Sequence, residues 1–231
     1  MRRVALMAGI AALLFAGSAA AGRGHRVLLG RSVDGRPIVA FEIGDPASPR
    51  KVVVVGCVHG NEPAGIAVAD SLATQGAPAG VDLWVVPSFN PDGVVSGTRG
   101  NAHGVDLNRN FPFRWRPLGG VYYSGAHALS EPESRIAYRL LLQLRPAVSI
   151  WFHQHLDVVD ESGGSASVER RFASLAGLGV TRLAREPGSI VTWENHRFSA
   201  GTAFVVELPA GRQSRTAVAR LTRAVDAVAQ G

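Results

Sequence analysis

Apolar and polar positions along this chain follow two different periods. Lys51–Gly56 carries four consecutive valines and no polar face, which predicts a strand buried on both sides. Asp82–Pro87 and Ala147–Phe152 read the same way, and Thr202–Leu208 is a fourth such run. Arg26–Ser32 and Pro37–Ile43 flank an Asp34-Gly35 turn and predict a hairpin. Between the strands the period lengthens. Pro63 suits the first position of a helix running to about Gln75. Ser130 and Glu133 are spaced as a capping box, with Pro132 in the first turn of a helix that buries Ala137, Leu140, Leu141 and Leu144. Ser165–Leu178 is expected to be helical. Val218, Leu221, Val225 and Val228 recur at spacings of 3, 4 and 3, one face of a last helix. Strands alternating with helices predict an α/β protein, a three-layer α/β/α sandwich around a mixed, mostly parallel sheet. In such sheets sites form at the carboxyl ends of the strands. Ser88 to Leu129 breaks both periods. It is rich in Gly, Asn, Pro and Arg, and a loop region that long inside a compact domain is usually functional.

Composition narrows the class. With 46% hydrophobic and 18% charged residues the 231-residue chain can bury a core, and it is not disordered, collagen-like or coiled-coil. Its formal charge of +6 is carried almost entirely by arginine, since Lys51 is the single lysine. The arginines are scattered and read as solvated surface, so no nucleic-acid partner is expected. The lone cysteine, Cys57, excludes a disulfide framework and lies in an apolar run, where it should be a small buried residue. Arg2 and Arg3, the apolar Val4–Phe15 and the small Ala19-Ala20-Ala21 form a secretory signal pattern. That run is shorter than the roughly 20 residues a bilayer span needs. The expected organisation is a signal peptide at 1–21 and one domain at 22–231. The mature protein is expected to be exported, periplasmic or extracellular, monomeric, and without a transmembrane anchor after cleavage.

Three buried strands run into metal-ligand residue types. The first reaches His59-Gly60-Asn61-Glu62, the third ends in Trp151-Phe152-His153, and the fourth in Val205-Val206-Glu207. His and Glu three apart at a strand-to-helix turn can converge on one ion. A histidine from a neighbouring strand would complete a His₂Glu set, which suits catalytic zinc with an open fourth position. An H-x-x-E pair alone is weak, and the HExxH helix of other zinc proteases is absent.

More specific are the stretches HGNEPAG (His59 to Gly65), NPDG (Asn90 to Gly93), GTRGNAHGVDLNRNFP (Gly97 to Pro112), YYSGAHALSEPES (Tyr122 to Ser134), WFHQ (Trp151 to Gln154) and VVELPAG (Val205 to Gly211). In these, and in their order, the chain resembles the zinc metallocarboxypeptidase family, and within it the small bacterial branch that includes murein peptide amidases. The resemblance implies a zinc carboxypeptidase-like fold and one zinc ion per chain held by His59, Glu62 and His153. His155, two residues on and on the same strand face, is the rival to His153 and is expected at the rim. Asp106 is implied to accept a hydrogen bond from the first zinc histidine, which fixes its tautomer. Glu207 is implied to be the general base and acid that activates water and protonates the leaving amine. Arg99 is implied to stabilise the oxyanion of the tetrahedral intermediate. Asn108 and Arg109 are implied to hold the substrate's terminal carboxylate, a task suited to the planar, permanently charged guanidinium.

Other features read as structural. Asn90-Pro91-Asp92-Gly93 is turn chemistry, and Glu133 is a capping partner. His25, His103, His127 and His196 belong to the surface or loops, and Trp193 and Phe198 to the core. Two departures stand out. Asn61 occupies the place of an arginine in the digestive members, and Leu183 to Pro187 lacks their substrate-clamping tyrosine. Arg182 and Arg185 lie there instead. They read as solvated surface; facing the pocket, they would favour a carboxylate-rich substrate. The resemblance thus implies a secreted zinc carboxypeptidase acting on peptide or peptidoglycan-derived substrates. The alternatives are a murein peptide amidase releasing diaminopimelate, or an N-acyl amino acid deacylase. A non-catalytic binding protein would be expected to have lost Glu207 or a zinc ligand, and neither is lost.

Overall fold

A computed structural model describes residues 24–231; the signal segment expected at 1–21 lies outside the described residues. The strands are β1 (His25–Arg31), β2 (Pro37–Gly44), β3 (Lys51–Val55), β4 (Asp82–Val86), β5 (Val148–Asp160), β6 (Gly179–Thr181) and β7 (Thr202–Pro209). The helices are α1 (Ala64–Gln75), α2 (Pro91–Ser96), α3 (Pro132–Leu144), α4 (Ala166–Ala176), α5 (Ile190–Arg197) and α6 (Arg215–Gln230). The strands form one sheet in the order β1-β2-β4-β3-β5-β6, with β7 also on β5. The hairpin strand β1 pairs antiparallel with β2, and β2 pairs antiparallel with β4; the remaining pairings are parallel, except that β5 turns back after His155 and its Val158–Asp160 stretch runs against Val205–Glu207 of β7. The expected mixed, mostly parallel sheet is therefore the one observed.

Alternation along the central strands divides the core into two layers. Val52, Val54, Leu83, Val85, Ile150, Phe152, Phe204 and Val206 face α1, α4 and α6. Val53, Val55, Trp84, Val86, Trp151 and Val205 face α3 and α5. Each layer buries its helices through their apolar stripes: Leu221, Val225 and Val228 on α6 in the first, Trp193 on α5 in the second. No helix among the described residues is long and apolar enough to cross a membrane.

Three expectations need correction. Ser130 and Glu133 do not form a capping box. Glu131 is the N-cap residue of α3 and makes no side-chain cap. Glu133 instead accepts from the Val33 N–H at 2.9 Å and from Asn101 at 3.0 Å, tying α3 to the hairpin turn and the long loop. Strand β5 continues past Phe152 to Asp160. Its second half breaks the apolar run with His153, Gln154, His155 and Asp157, and its Val158–Asp160 end is held by pairing with β6 and β7. Helix α5 and strand β6 had no predicted counterpart, since one has weak apolar periodicity and the other is three residues long.

Candidate metal centre and cleft

Strand β3 delivers His59 through Gly56-Cys57-Val58 to the turn before α1. The Glu62 N–H donates to the His59 carbonyl at 2.9 Å, closing that turn. Gly60 packs so closely on Gly93 that a Cβ there would overlap the Gly93 backbone, which is why the Asn90–Gly93 turn sits under this loop. Asn90 caps α2 by accepting from the Gly93 N–H at 2.9 Å. His153 stands on β5, beside β3, and Glu207 on β7 is directly opposite His153. Four chemistry-bearing residues thus gather at the carboxyl ends of three neighbouring parallel strands, where an open α/β sheet leaves a crevice.

His59 Nδ1 and His153 Nδ1 each lie 2.9 Å from Glu62 Oε2, and 3.1 Å from one another. Among the described residues these three form a set whose ligand atoms all lie within 4.8 Å. The remote nitrogen of His59, Nε2, is 3.0 Å from Asp106 Oδ1. A carboxylate cannot donate, so Nε2 carries a proton; with an ion bound, Nδ1 would offer its lone pair to that ion beside Glu62 and His153. Two nitrogens and one carboxylate oxygen with that tautomer fixed fit a zinc ion in a three-ligand site.

The electrostatics agree with the geometry. Burial opposes charge on His59, but the Asp106 and Glu62 carboxylates more than offset it and raise its pKa. Burial alone would raise Glu62 and Asp106, yet histidine contacts hold Glu62 well below the carboxylate range, and His59, Arg99 and Arg109 do the same for Asp106. Glu207 goes the other way, raised chiefly by burial, with Glu62 adding to it. Cys57 is buried behind this loop, and burial pushes its thiol up to about 12, so it is inert.

Two arginines border the centre differently. Arg99 is neutralised: its Nε donates to Asp106 at 2.8 Å and its Nη1 to Glu62 at 3.0 Å. Arg109 is 7% exposed, has no carboxylate partner within 4 Å among the described residues, and its buried Nε has no hydrogen-bond partner. Asn108 turns its side-chain oxygen to the Ile190 N–H at 2.9 Å, linking the loop to α5. The Tyr122 ring faces both guanidinia, each 5.3 Å from its centroid.

All of this opens into one cavity of about 690 Å³, lined by His59, Glu62, Arg99, Asn108, Arg109, His153 and Glu207 among others. Of the eight site residues picked out in the sequence, only the fully buried Asp106 is behind the wall. His155 is exposed and lines the rim. His25, His103, His127 and His196 are exposed outside the cavity, and Trp193 is core. Arg182 and Arg185 part company: Arg182 is exposed beside Glu161, whereas Arg185 lines the cavity. Tyr122 and Asp160 were missed as lining residues. An aromatic pair in a glycine-rich loop does not reveal which ring turns inward, and Asp160 falls beyond the apolar run that marked its strand.

A mixed sheet with a His-Glu-His donor set at its strand ends and a free carboxylate beside it is the architecture of an α/β metallohydrolase. Residues 19–160 match the sequence profile of the zinc carboxypeptidase family. The murein peptide amidase A of Escherichia coli strain K12 is 31% identical over 180 residues, 71% of this chain and 74% of that one. The Vibrio campbellii protein of the same name is 32% identical over 197 residues, 78% and 77% of the two chains. The crystal structure of the murein-tripeptide amidase from Escherichia coli O157 superposes with a TM-score of 0.76 at 25% identity, covering 92% of this chain and 94% of that one. Carboxypeptidase A from Helicoverpa armigera shares the fold, with a TM-score of 0.74 at 20% identity, over 90% and 68% of the chains. The chain belongs to the zinc carboxypeptidase family, and is a zinc-metallopeptidase-type hydrolase.

Proposed function

We propose that this protein hydrolyses the amide bond next to a terminal, carboxylate-bearing residue, and that its substrates are peptidoglycan stem peptides from which it releases a diamino dicarboxylic acid. The observation that carries the reading is Arg109: a buried guanidinium without a carboxylate partner, in the same cavity as the donor set and Glu207. A buried, unpaired charge is costly unless a ligand completes it. A substrate's terminal carboxylate would do so, and would confine cleavage to the last residue. The relatives named as murein peptide amidases, matched over more than 70% of both chains, support the choice of peptide.

His59, Glu62 and His153 would hold the zinc, which when bound supplies Lewis acidity and makes water a usable nucleophile near neutral pH. Asp106 holds the His59 tautomer. Glu207 takes the proton from the attacking water and passes it to the leaving amine. Arg99 bears on the carbonyl oxygen as charge develops there, through Nη2, the nitrogen that Asp106 and Glu62 do not engage. The N-terminal signal pattern supports export to the periplasm or beyond, where such peptides are found.

Product mass spectrometry tests this. The protein, zinc-supplemented or chelated, is incubated with a murein tripeptide and with ordinary blocked peptides bearing free C-termini. Zinc-dependent release of the diamino acid from the tripeptide, lost in Glu207→Gln, is expected. Release only from ordinary peptides would make it a general carboxypeptidase, and activity only on an acyl amino acid would make it a deacylase.

A further inference from the structure

The cavity wall carries a third arginine that the catalytic reading leaves unused. Arg99, tied to Asp106 and Glu62, is assigned to the carbonyl oxygen, and Arg109 to the terminal carboxylate. Arg185 comes from the loop between β6 and α5, and its side chain is 28% exposed into the cavity. It is held in place. Its Nη1 donates to Asp160 Oδ2 at 2.8 Å, and its Nη2 donates to the Glu161 carbonyl.

Asp160 is built to hold it. The residue is 3% exposed, and its carboxylate also accepts from the Leu183 N–H at 2.8 Å and from the Ser162 hydroxyl at 2.7 Å. Both oxygens are therefore engaged, and the accessible partner of the pair is the guanidinium. A guanidinium has five N–H donors; two are used here, and the rest face no protein acceptor among the described residues. Val191 and Val205 line the same cavity, apolar surface that suits a methylene chain. Glu186, also lining it, makes no ion pair with Arg185.

We infer that Arg185, braced by Asp160, is a specificity-determining residue that binds a second carboxylate, carried at the end of an aliphatic side chain on the residue being released. The inference rests on the proposed amide hydrolysis and names what distinguishes its favoured substrate. A pre-oriented arginine loses little freedom on binding, so its selectivity should be large.

Four peptides with one common acyl portion test it, differing only in a C-terminal residue whose side chain ends in a carboxylate (aminoadipate), an ammonium (lysine), both (diaminopimelate) or neither (leucine). In the zinc-supplemented full chain, R185M should lower kcat/KM for the two carboxylate-ended peptides by roughly 10- to 100-fold, the value of a charge-assisted hydrogen bond. The lysine and leucine peptides should stay within about twofold, and R185K should recover part of the loss. An unchanged melting temperature and zinc content in R185M would exclude misfolding. A loss on the lysine or leucine peptide as large as that on the carboxylate-ended pair, or no loss on that pair, would overturn the inference while leaving amide hydrolysis intact. Failure of the wild type to release any of the four residues would overturn the proposed function and this inference with it.

Discussion

Glu207 Oε2 is buried with no hydrogen-bond partner, across the strand from His153. A carboxylate oxygen left that way costs stability, a cost that the proposed role of Glu207 toward the attacking water would account for. Glu207→Gln keeps shape and removes basicity. It should lower kcat by roughly 10²- to 10⁴-fold while bound zinc, measured by elemental analysis, stays at one per chain. A matching loss of zinc would instead make Glu207 part of the metal site. Tyr122 invites a different test. Its ring faces Arg99 and Arg109 at once, and an aromatic face under a guanidinium contributes about 0.5–1 kcal/mol at an exposed site. Tyr122→Phe keeps the ring and should leave steady-state kinetics near wild type. Tyr122→Ala removes the aromatic face from both guanidinia, leaving Arg99 on its carboxylates, and should raise KM several-fold more than it lowers kcat. Equal damage from the two variants would assign the work to the hydroxyl.

Helix α5 and the loop before it fix Arg109 from behind. Gly188 has φ +69°, and a Cβ there would overlap the Arg109 carbonyl, so only glycine lets the chain pass. Gly188→Ala should cost about 1–3 kcal/mol, read as a fall in urea midpoint, and raise KM by displacing Arg109. The same helix contributes Glu194, fully enclosed and reached by the Ser149 hydroxyl and the Trp151 indole N–H. Burial pushes its carboxyl up to about 7. The folded chain then binds a proton that the unfolded chain has released between about pH 4.5 and 7. Its contribution therefore falls as pH rises through that window, by up to about 3 kcal/mol. Glu194→Gln should remove this slope, and a comparison of melting temperatures at pH 5 and pH 8 with wild type checks it. Neither Gly188 nor Glu194 could be read in this way from the sequence: a Gly-Ser turn does not say whose carbonyl it touches, and a Glu in a weakly periodic segment looks solvated.

Across the whole molecule, the sequence was legible where one residue type answers one physical demand. The valine run of β3 and the His59–Glu62 spacing each have few other uses, so strand, turn and cluster could be read together. It was illegible where tertiary partners decide. The far end of β5, cut off from its apolar run by His153–Asp157, is a strand only because β6 and β7 pair with it, and Arg182 and Arg185 look alike until Asp160 takes one of them. The donor set joins the turn before α1 to β5, while Asp106 brings in the long loop. Metal binding should therefore stabilise the molecule, not the site alone. A ligand that binds only the folded state adds about 2.7 kcal/mol at a hundredfold excess over its Kd. For a domain of this size that corresponds to roughly 5–10 °C in melting temperature. Chelation should lower the wild-type melting temperature by that amount, reversibly on adding zinc. Asp106→Asn should weaken zinc affinity roughly 10- to 100-fold and shrink the zinc-dependent shift at the same free zinc. Because the shift is taken within one variant, stability lost with the Arg99 and Asn108 contacts cancels. A full-sized shift in Asp106→Asn would show that His59 keeps its tautomer without Asp106.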